Sequence, residues 1–417
     1  MSFDKSGKQM IRKPEGTEQL SFLFAGDFCP RGPVPEKLLA EGKGASIMEP
    51  LQSVLRSADV SFIQFETPLT NADTPICKSG PNLKCIPESI EIMHSWGGDV
   101  ALLANNHTGD YGPEPVMETI EILQKHGFQT VGAGKDLKAA QEPLVFTKHG
   151  FKIGVINIAE NEFGGALRDQ AGANPLSPFY NLRQIKELSP KVDTCVVVIH
   201  GGNETNPVPS PRVVNMCRAF VDAGADIVIN IHTHCPQGIE TWNGKPIVYS
   251  LGNFYFPNVW ADTYDPKSFW YTGYMVRFQV DRKGAFSIEA IPIHFGLDAT
   301  RVELLEGEEK KGFLEHLAKI SEPLSDWDEI MRFHEAWAAG PSNYVAKLIA
   351  TANWSLEDFD NPEKKKALMP LRNIFTCEAH CELVGTWLKL FEQDRLKQAA
   401  EFYPQLQTLR EATFIKH

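Results

Sequence analysis

Short apolar runs alternate with helical stretches along the chain from about residue 20 to residue 295. The runs at 21–25, 60–63, 100–103, 153–158, 195–199 and 226–229 are four to six residues long and rich in Val, Ile, Leu and Phe. Such runs predict strands covered on both faces. Between them, 114–126 and 212–223 carry helical spacing, so the pattern predicts a layered α/β domain. Around 248–249, at 274–280 and at 286–291 the pattern becomes hairpin-like, which makes the expected sheet mixed.

After about Arg301 the periodicity turns helical. Ser325-Asp-Trp-Asp328 has the form of a capping box, followed by Ile330, Phe333 and Trp337 at helical spacing and a stop at Gly340-Pro341. Leu383, Trp387, Leu390 and Phe391 form a later apolar stripe, and Lys364-Lys-Lys366 reads as a solvated helix start. The expected division is a polar tail over 1–19, an α/β domain over 20–300 and a helical C-terminal region over 301–417. No internal repeat or low-complexity tract interrupts it.

The chain has 417 residues, 42% hydrophobic and 23% charged, and a net charge of −12. That is a soluble globular composition, sufficient for two or three domains or one large α/β core. The acidic balance argues against non-specific nucleic-acid binding and against a polybasic membrane-surface module. An anionic ligand stays open, because a bound cation inverts the local field. No apolar run reaches the ~20 residues of a membrane span. The first 19 residues lack a signal-peptide core, and the eight scattered cysteines suit reduced thiols, so a cytoplasmic setting is expected. Cys377-Glu-Ala-His380-Cys381 offers zinc-ligand types at an unusual spacing with no second pair following, which favours two thiols on a buried helix face.

Chemistry concentrates where strands end. The clusters are Gly26-Asp27-Phe28-Cys29, Gln64-Phe-Glu66, Asn105-Asn106-His107-Thr-Gly-Asp110, His200-Gly-Gly-Asn-Glu204 and His232-Thr-His234. Each has an ordinary reading alone: Asp27 as a helix cap, Glu66 as a solvated acid, Asn106-His107 as a turn, His200 as a core histidine. In layered α/β folds, however, ligands bind at the carboxyl ends of strands, so the five should converge. On a strand, His232 and His234 would point the same way and grip one ion. Carboxylates with three histidines suit one or two divalent ions of Mn, Fe, Zn or Ni and argue against Mg or Ca alone. Two such ions ~3.5–4 Å apart, bridged by Asp27 or Glu66, would clamp the oxygens of a phosphoryl group. His107 could then stay uncoordinated, protonating a leaving oxygen or orienting the anion.

The order and content of these motifs resemble the CapA family of bacterial capsule or poly-γ-glutamate synthesis proteins, relatives of calcineurin-like metallophosphatases. Gly26-Asp27, Phe65-Glu66-Thr-Pro68, Leu103-Ala-Asn105-Asn106-His107-Thr-Gly-Asp110, His200-Gly-Gly-Asn-Glu204, His232-Thr-His234 and Tyr249-Ser-Leu-Gly-Asn253-Phe254 carry the likeness over residues 20–300. The resemblance implies a four-layer α/β/β/α sandwich with Asp27, Glu66, Asn106, His200, His232 and His234 as metal ligands. His107 takes the acid or anion-orienting role, and Asn105 with Asp110 shapes the loop. The sequence departs from the pattern at Cys29, where a histidine is usual and a small buried residue is expected; at Gln64, where Asn is usual; and at Gly201, where an aromatic is usual.

Substrate-side candidates are Arg31, Asn105, Asp110, Glu204 and Asn253. Glu204 is placed to orient His200, and Asn253 either backs the histidine loop or meets substrate. Trp260, Trp270 and Tyr271 are expected to wall the pocket or pack on the helical region. The expected activity is that of a metal-dependent hydrolase of a phosphoester or related anion. The alternative is a non-hydrolytic accessory that binds an anionic chain such as poly-γ-glutamate.

Overall fold

A computed structural model describes residues 3–96, 98–257, 265–340 and 361–415. Two sheets lie face to face. The larger, nine-stranded sheet runs Lys8–Met10, Gly284–Phe295, Thr272–Asp281, Leu20–Phe28, Val60–Phe65, Val100–Leu102 and Gln129–Val131. Asn253–Tyr255 joins it beside Leu20–Phe28, and Val302–Leu304 beside Gly284–Phe295. The six-stranded sheet runs Ile239–Trp242, Lys245–Val248, Ile227–Ile231, Thr194–His200, Phe151–Ala159 and Leu144–Lys148. Both are mixed: the six-stranded sheet has a parallel centre and antiparallel margins, whereas the larger is antiparallel from Lys8–Met10 to Leu20–Phe28 and parallel from there to Gln129–Val131.

Strand alternation sorts the core into layers. Phe22, Phe24, Phe62 and Leu102 face Ile153, Val155, Val196, Val198 and Ile229 in one cluster between the sheets. Their neighbours Leu23, Ala25, Ile63 and Ala101 point outward to meet Val116, Ile120 and Leu123 of the helix Pro113–Lys125. On the other sheet, Cys195, Val197 and Ile199 meet Val213, Cys217 and Phe220 of the helix Pro211–Asp222, and Ile185 of Pro178–Leu188. The result is the four-layer α/β/β/α sandwich that the resemblance implied.

The chain beyond 301 first adds the strand Val302–Leu304 and then the helices Gly307–Ser321, Trp327–Ala338, Pro362–Thr376 and Glu378–Glu392. Phe313, Leu317, Phe333, Leu406 and Leu409 enter the inter-sheet cluster. The expected capping box does not form. Asp326 caps the helix by accepting from the Asp328 N–H, while the Ser325 hydroxyl donates back to Glu322. Phe391 leaves the predicted stripe: it is exposed and stacks on Trp387 at 5.5 Å. Cys377 and Cys381 do not share a buried face, because Cys377 is the buried residue capping Glu378–Glu392 and Cys381 is exposed. Lys364, Lys365 and Lys366 are exposed in the first turns of Pro362–Thr376, as expected. Pro341 and Trp260 lie outside the described residues.

Candidate metal centre

The strand Leu20–Phe28 delivers Asp27 through a local irregularity. Its pairing with Val60–Phe65 slips between Ala25 and Asp27, leaving Gly26 as the extra residue. Such a bulge re-aims the side chain after it. Only glycine fits there, since a Cβ on Gly26 would sit 1.9 Å from the Gly252 carbonyl oxygen. Glu66 follows the end of the neighbouring strand, and Asp27 and Glu66 are both fully buried.

Three histidines close on these carboxylates. His200, the last residue of Thr194–His200, places Nδ1 3.7 Å from Asp27 Oδ1 and Nε2 3.4 Å from Glu66 Oε1. His234 places Nδ1 3.5 Å from Asp27 Oδ2 and Nε2 3.8 Å from Glu66 Oε1. His232 Nδ1 lies 3.0 Å from His200 Nε2, and Asn106 Oδ1 is 3.0 Å from the same His200 nitrogen. His232 and His234 do not ride on a strand as expected: the strand ends at Ile231, and both residues have positive φ, 107° and 53°. A turn converges them instead, at a cost of about 1–3 kcal/mol each in backbone strain.

The spacing suits cations. Ligand atoms ~2.0–2.2 Å from one tetrahedral ion stand roughly 3.3–3.6 Å apart, a range that the histidine–carboxylate distances of 3.4–3.8 Å overlap. Asp27 Oδ1, Glu66 Oε1, Glu66 Oε2 and His200 Nδ1 are buried with no hydrogen-bond partner. Orphaned polar atoms at such density normally signal a bound ion or water. Two ligand sets emerge, Asp27–Glu66–His200 and Glu66–His232–His234, with Glu66 common to both. Burial, then the facing Asp27, pushes the Glu66 carboxyl well above its ordinary pKa. Burial, then His232 and His234, pushes His200 well below its own. Burial lowers the His234 pKa, but Asp27 outweighs it and the net shift is upward. These are the strains that a bound dication relieves.

Around the ligands, Asn253 Oδ1 lies 2.8 Å from His234 Nδ1, so Asn253 backs the histidine turn. Trp270 packs its ring 4.8 Å from that of His234 and walls this side, whereas Tyr271 packs behind the large sheet. Asn105 donates to the Phe65 carbonyl and accepts from the His107 N–H, tying the loop to the neighbouring strand end. His107 Nδ1 lies 2.6 Å from Asp110 Oδ2. Glu204 does not orient His200: it is exposed, and His200 Nδ1 has no hydrogen-bond partner. Arg31 lies beyond the strand end, its N–H donating to the Cys29 carbonyl, and it does not line the cavity at His107. Cys29 is a buried residue beside Cys85 on the helix-facing side of the sheet, as its small size suggested. Gln64 donates to the Leu102 and Ala104 carbonyls. Gly201 leaves room for Glu160, whose Cγ would lie 2.5 Å from any Cβ there.

A cavity of about 430 Å³ opens over His107, Asn106 and His232. Two of its charged residues, Lys78 and Glu162, were not singled out by the sequence. Lys78 is buried and donates to Asp110 Oδ1 at 2.7 Å, with its Nζ 3.3 Å from His107 Nδ1. Burial, then Lys78, lowers the His107 pKa, with Asp110 opposing. Nothing in the spacing of Cys77-Lys-Ser-Gly announces Lys78. Glu162 could have been found, because Glu160-Asn-Glu162 follows the strand Phe151–Ala159 just as the other clusters follow theirs. The far wall comes from the C-terminal helices through Trp337, Pro370, Asn373, His380 and Leu383.

The sequence model of the family described as "Bacterial capsule synthesis protein PGA_cap" matches residues 21–258. The chain is 31% identical over 291 residues to the PGA biosynthesis protein CapA of Bacillus subtilis (strain 168), covering 67% of this chain and 73% of that protein. It is 28% identical to the capsule biosynthesis protein CapA of Bacillus anthracis, covering 68% and 69%. A probable polyglutamine synthesis accessory protein of Mycobacterium tuberculosis is 29% identical, covering 47% and 55%. Among solved structures, a 5'-nucleotidase precursor from Thermus thermophilus aligns at TM-score 0.41 and 13% identity, over 72% of this chain and 59% of that one.

Proposed function

Because the chain belongs to the bacterial capsule synthesis protein family PGA_cap, and because its strand ends gather a buried carboxylate–histidine cage, we propose that it is a metal-dependent hydrolase of a phosphoester or related anionic substrate in capsule or poly-γ-glutamate synthesis. The observation that carries this reading is the cage itself: Asp27, Glu66, His200, His232 and His234 within ligand–ligand distances, with four of their polar atoms unpartnered. Asp27, Glu66, Asn106, His200, His232 and His234 would hold one or two ions, Glu66 serving both. Such ions supply charge that polarises a substrate oxygen and activates water at neutral pH.

The protein's own groups do the rest. Asp110 accepts from His107 Nδ1 and fixes that tautomer, so Nε2 is the ring nitrogen left to meet an oxygen of the substrate. As an imidazolium His107 donates from Nε2 to that oxygen, and with its pKa lowered by burial and Lys78 it gives up the proton readily. Trp337, Pro370 and Leu383 line the cavity's far wall and limit water around the reacting group. The histidine turn, backed by Asn253 and Trp270, keeps two ligands in place before any substrate arrives.

The purified chain should retain transition metal through gel filtration and hydrolyse p-nitrophenyl phosphate or its diester. His232→Ala should lose metal and lower turnover by more than about 100-fold, since even outer-shell partners of a metal are worth ~10–100-fold. Full occupancy with no cleavage of these esters or of γ-linked glutamate oligomers would reject hydrolysis. The second reading, an accessory that holds an anionic chain, is favoured by the names of the relatives. It requires γ-glutamate oligomers to bind and to remain bound after His107→Ala.

A further inference from the structure

A second cluster of ligand-type side chains lies outside the carboxylate–histidine cage and is shared between two distant parts of the chain. Glu162 comes from the loop after Phe151–Ala159, while Cys377 and His380 come from the first turn of Glu378–Glu392. Cys377 and His380 occupy the cap and third positions of that helix, whose side chains face each other across the helix start. The Glu162 carboxylate, the Cys377 Sγ and a His380 ring nitrogen all lie within 4.8 Å of one another.

The His380–Glu162 separation is too long for a hydrogen bond, the Cys377 thiol reaches Glu162 only as a long donor, and both separations suit ligands of one ion. His380 Nε2 stands 3.7 Å from Glu162 Oε1, and Cys377 Sγ 3.8 Å from the same oxygen. Zn–N, Zn–O and Zn–S bonds of roughly 2.0–2.3 Å give tetrahedral edges of about 3.3–3.8 Å. The surroundings are built as well. Glu160 Oε2 lies 3.6 Å from the Cys377 thiol and accepts the Ala379 N–H, while its other oxygen pairs with Arg212 at 2.6 Å. Cys377 is buried at 1% exposure. The His380 side chain keeps 30% exposure, and Glu162 and His380 both line the cavity, which leaves a coordination position facing it.

We propose that Glu162, Cys377 and His380 bind a borderline-soft divalent cation of the zinc class, pinning the C-terminal helix against the rim of the main site. A nitrogen, oxygen and thiolate set selects zinc-like ions and disfavours Mg and Ca. The same Glu162 Oε1 is 4.0 Å from His232 Nε2, and its Oε2 accepts from Asn106 Nδ2 at 3.4 Å. The ion therefore couples the closure of the C-terminal wall to the position of two main-site residues. Cys377 and His380 lie beyond the family match at 21–258, whereas Glu162 lies within it, and the site does not depend on the hydrolase reading.

The test uses the full chain, stripped with chelator, reloaded with Zn²⁺ or Co²⁺ and freed of excess metal by gel filtration. Wild type should show a sulfur-to-cobalt charge-transfer band. Cys377→Ser and His380→Gln should each hold one metal equivalent less than wild type, and Cys377→Ser should lose the band. His232→Ala should keep the band while losing metal from the cage, which separates failure of this site from failure of the main one. A wild type without the band, or a Cys377→Ser with unchanged band and stoichiometry, overturns the proposal and leaves Glu162–His380 as an ion pair. If Cys377→Ser fails to fold by circular dichroism, the exposed-edge substitution His380→Gln decides alone, with unchanged stoichiometry overturning the proposal.

Discussion

At the residue scale, the least expected participant is Lys78. It is buried against Asp110, whose second oxygen accepts from the Leu83 N–H at 2.7 Å and lies against His107. Removing one partner of a buried pair strands the other, which costs about 3–5 kcal/mol, whereas removing both costs less. Urea melts should therefore show Asp110→Asn destabilised by about 3 kcal/mol or more. Asp110→Asn with Lys78→Met should be less destabilised than the sum of the singles by over ~1 kcal/mol. Additive losses would mean that Lys78 is not held by Asp110. The residue identities at the cage were readable because Asp, Glu and His clusters end strands. Lys78 was not, because a lysine in a loop carries no periodic signal and its partner lies 32 positions away.

At the element scale, the strand Leu20–Phe28 does two jobs, filling the inter-sheet core with Phe22 and Phe24 and turning Asp27 into the cage. The turn depends on Gly26 lying flat against Gly252. Gly26→Ala drives a Cβ into a backbone carbonyl 1.9 Å away, a contact no rotamer change relieves. Overpacking of this kind costs about 1–3 kcal/mol and more where backbone must shift. The expected outcome is a lowered melting temperature together with weakened metal retention by elemental analysis. A variant that keeps both would show that the bulge does not aim Asp27. Alternation along the strands was legible from apolar runs alone; the bulge was not, because it appears only when two strands are paired. The same holds for the histidine turn, where His232-x-His234 suggested a strand and the backbone instead takes positive φ at both.

At the scale of the molecule, the C-terminal helices are part of one packed body with the sandwich. Arg212 joins them: it pairs with Glu160 at 2.6 Å and with Glu382 at 3.1 Å, and Glu382 also accepts from the Ser210 hydroxyl and the Arg212 N–H. Arg212→Ala strands Glu160, which is almost fully buried, and should destabilise by about 3 kcal/mol. Limited proteolysis should then release the chain after 361 faster than in wild type. Truncation at 306 should yield an aggregating product, because it uncovers apolar surface between the sheets that Phe313, Leu317, Phe333 and Leu409 cover. A soluble, cooperatively melting truncation would show that the sandwich folds without them.

The sequence by itself determined the alternation of strands and helices, the mixed sheets, the helical character of the C-terminal chain and the residues of the cage. Those features are written locally, in periodicity and in the residue types just past the end of each strand. Only the tertiary structure decided that His232 and His234 meet Asp27 and Glu66 through a turn. It alone brought Lys78 to His107, and placed Glu162 215 positions from Cys377 yet within reach of it. Contacts between loops depend on which strands become neighbours and how far each is displaced along its partner. No single segment encodes that until the sheets have closed.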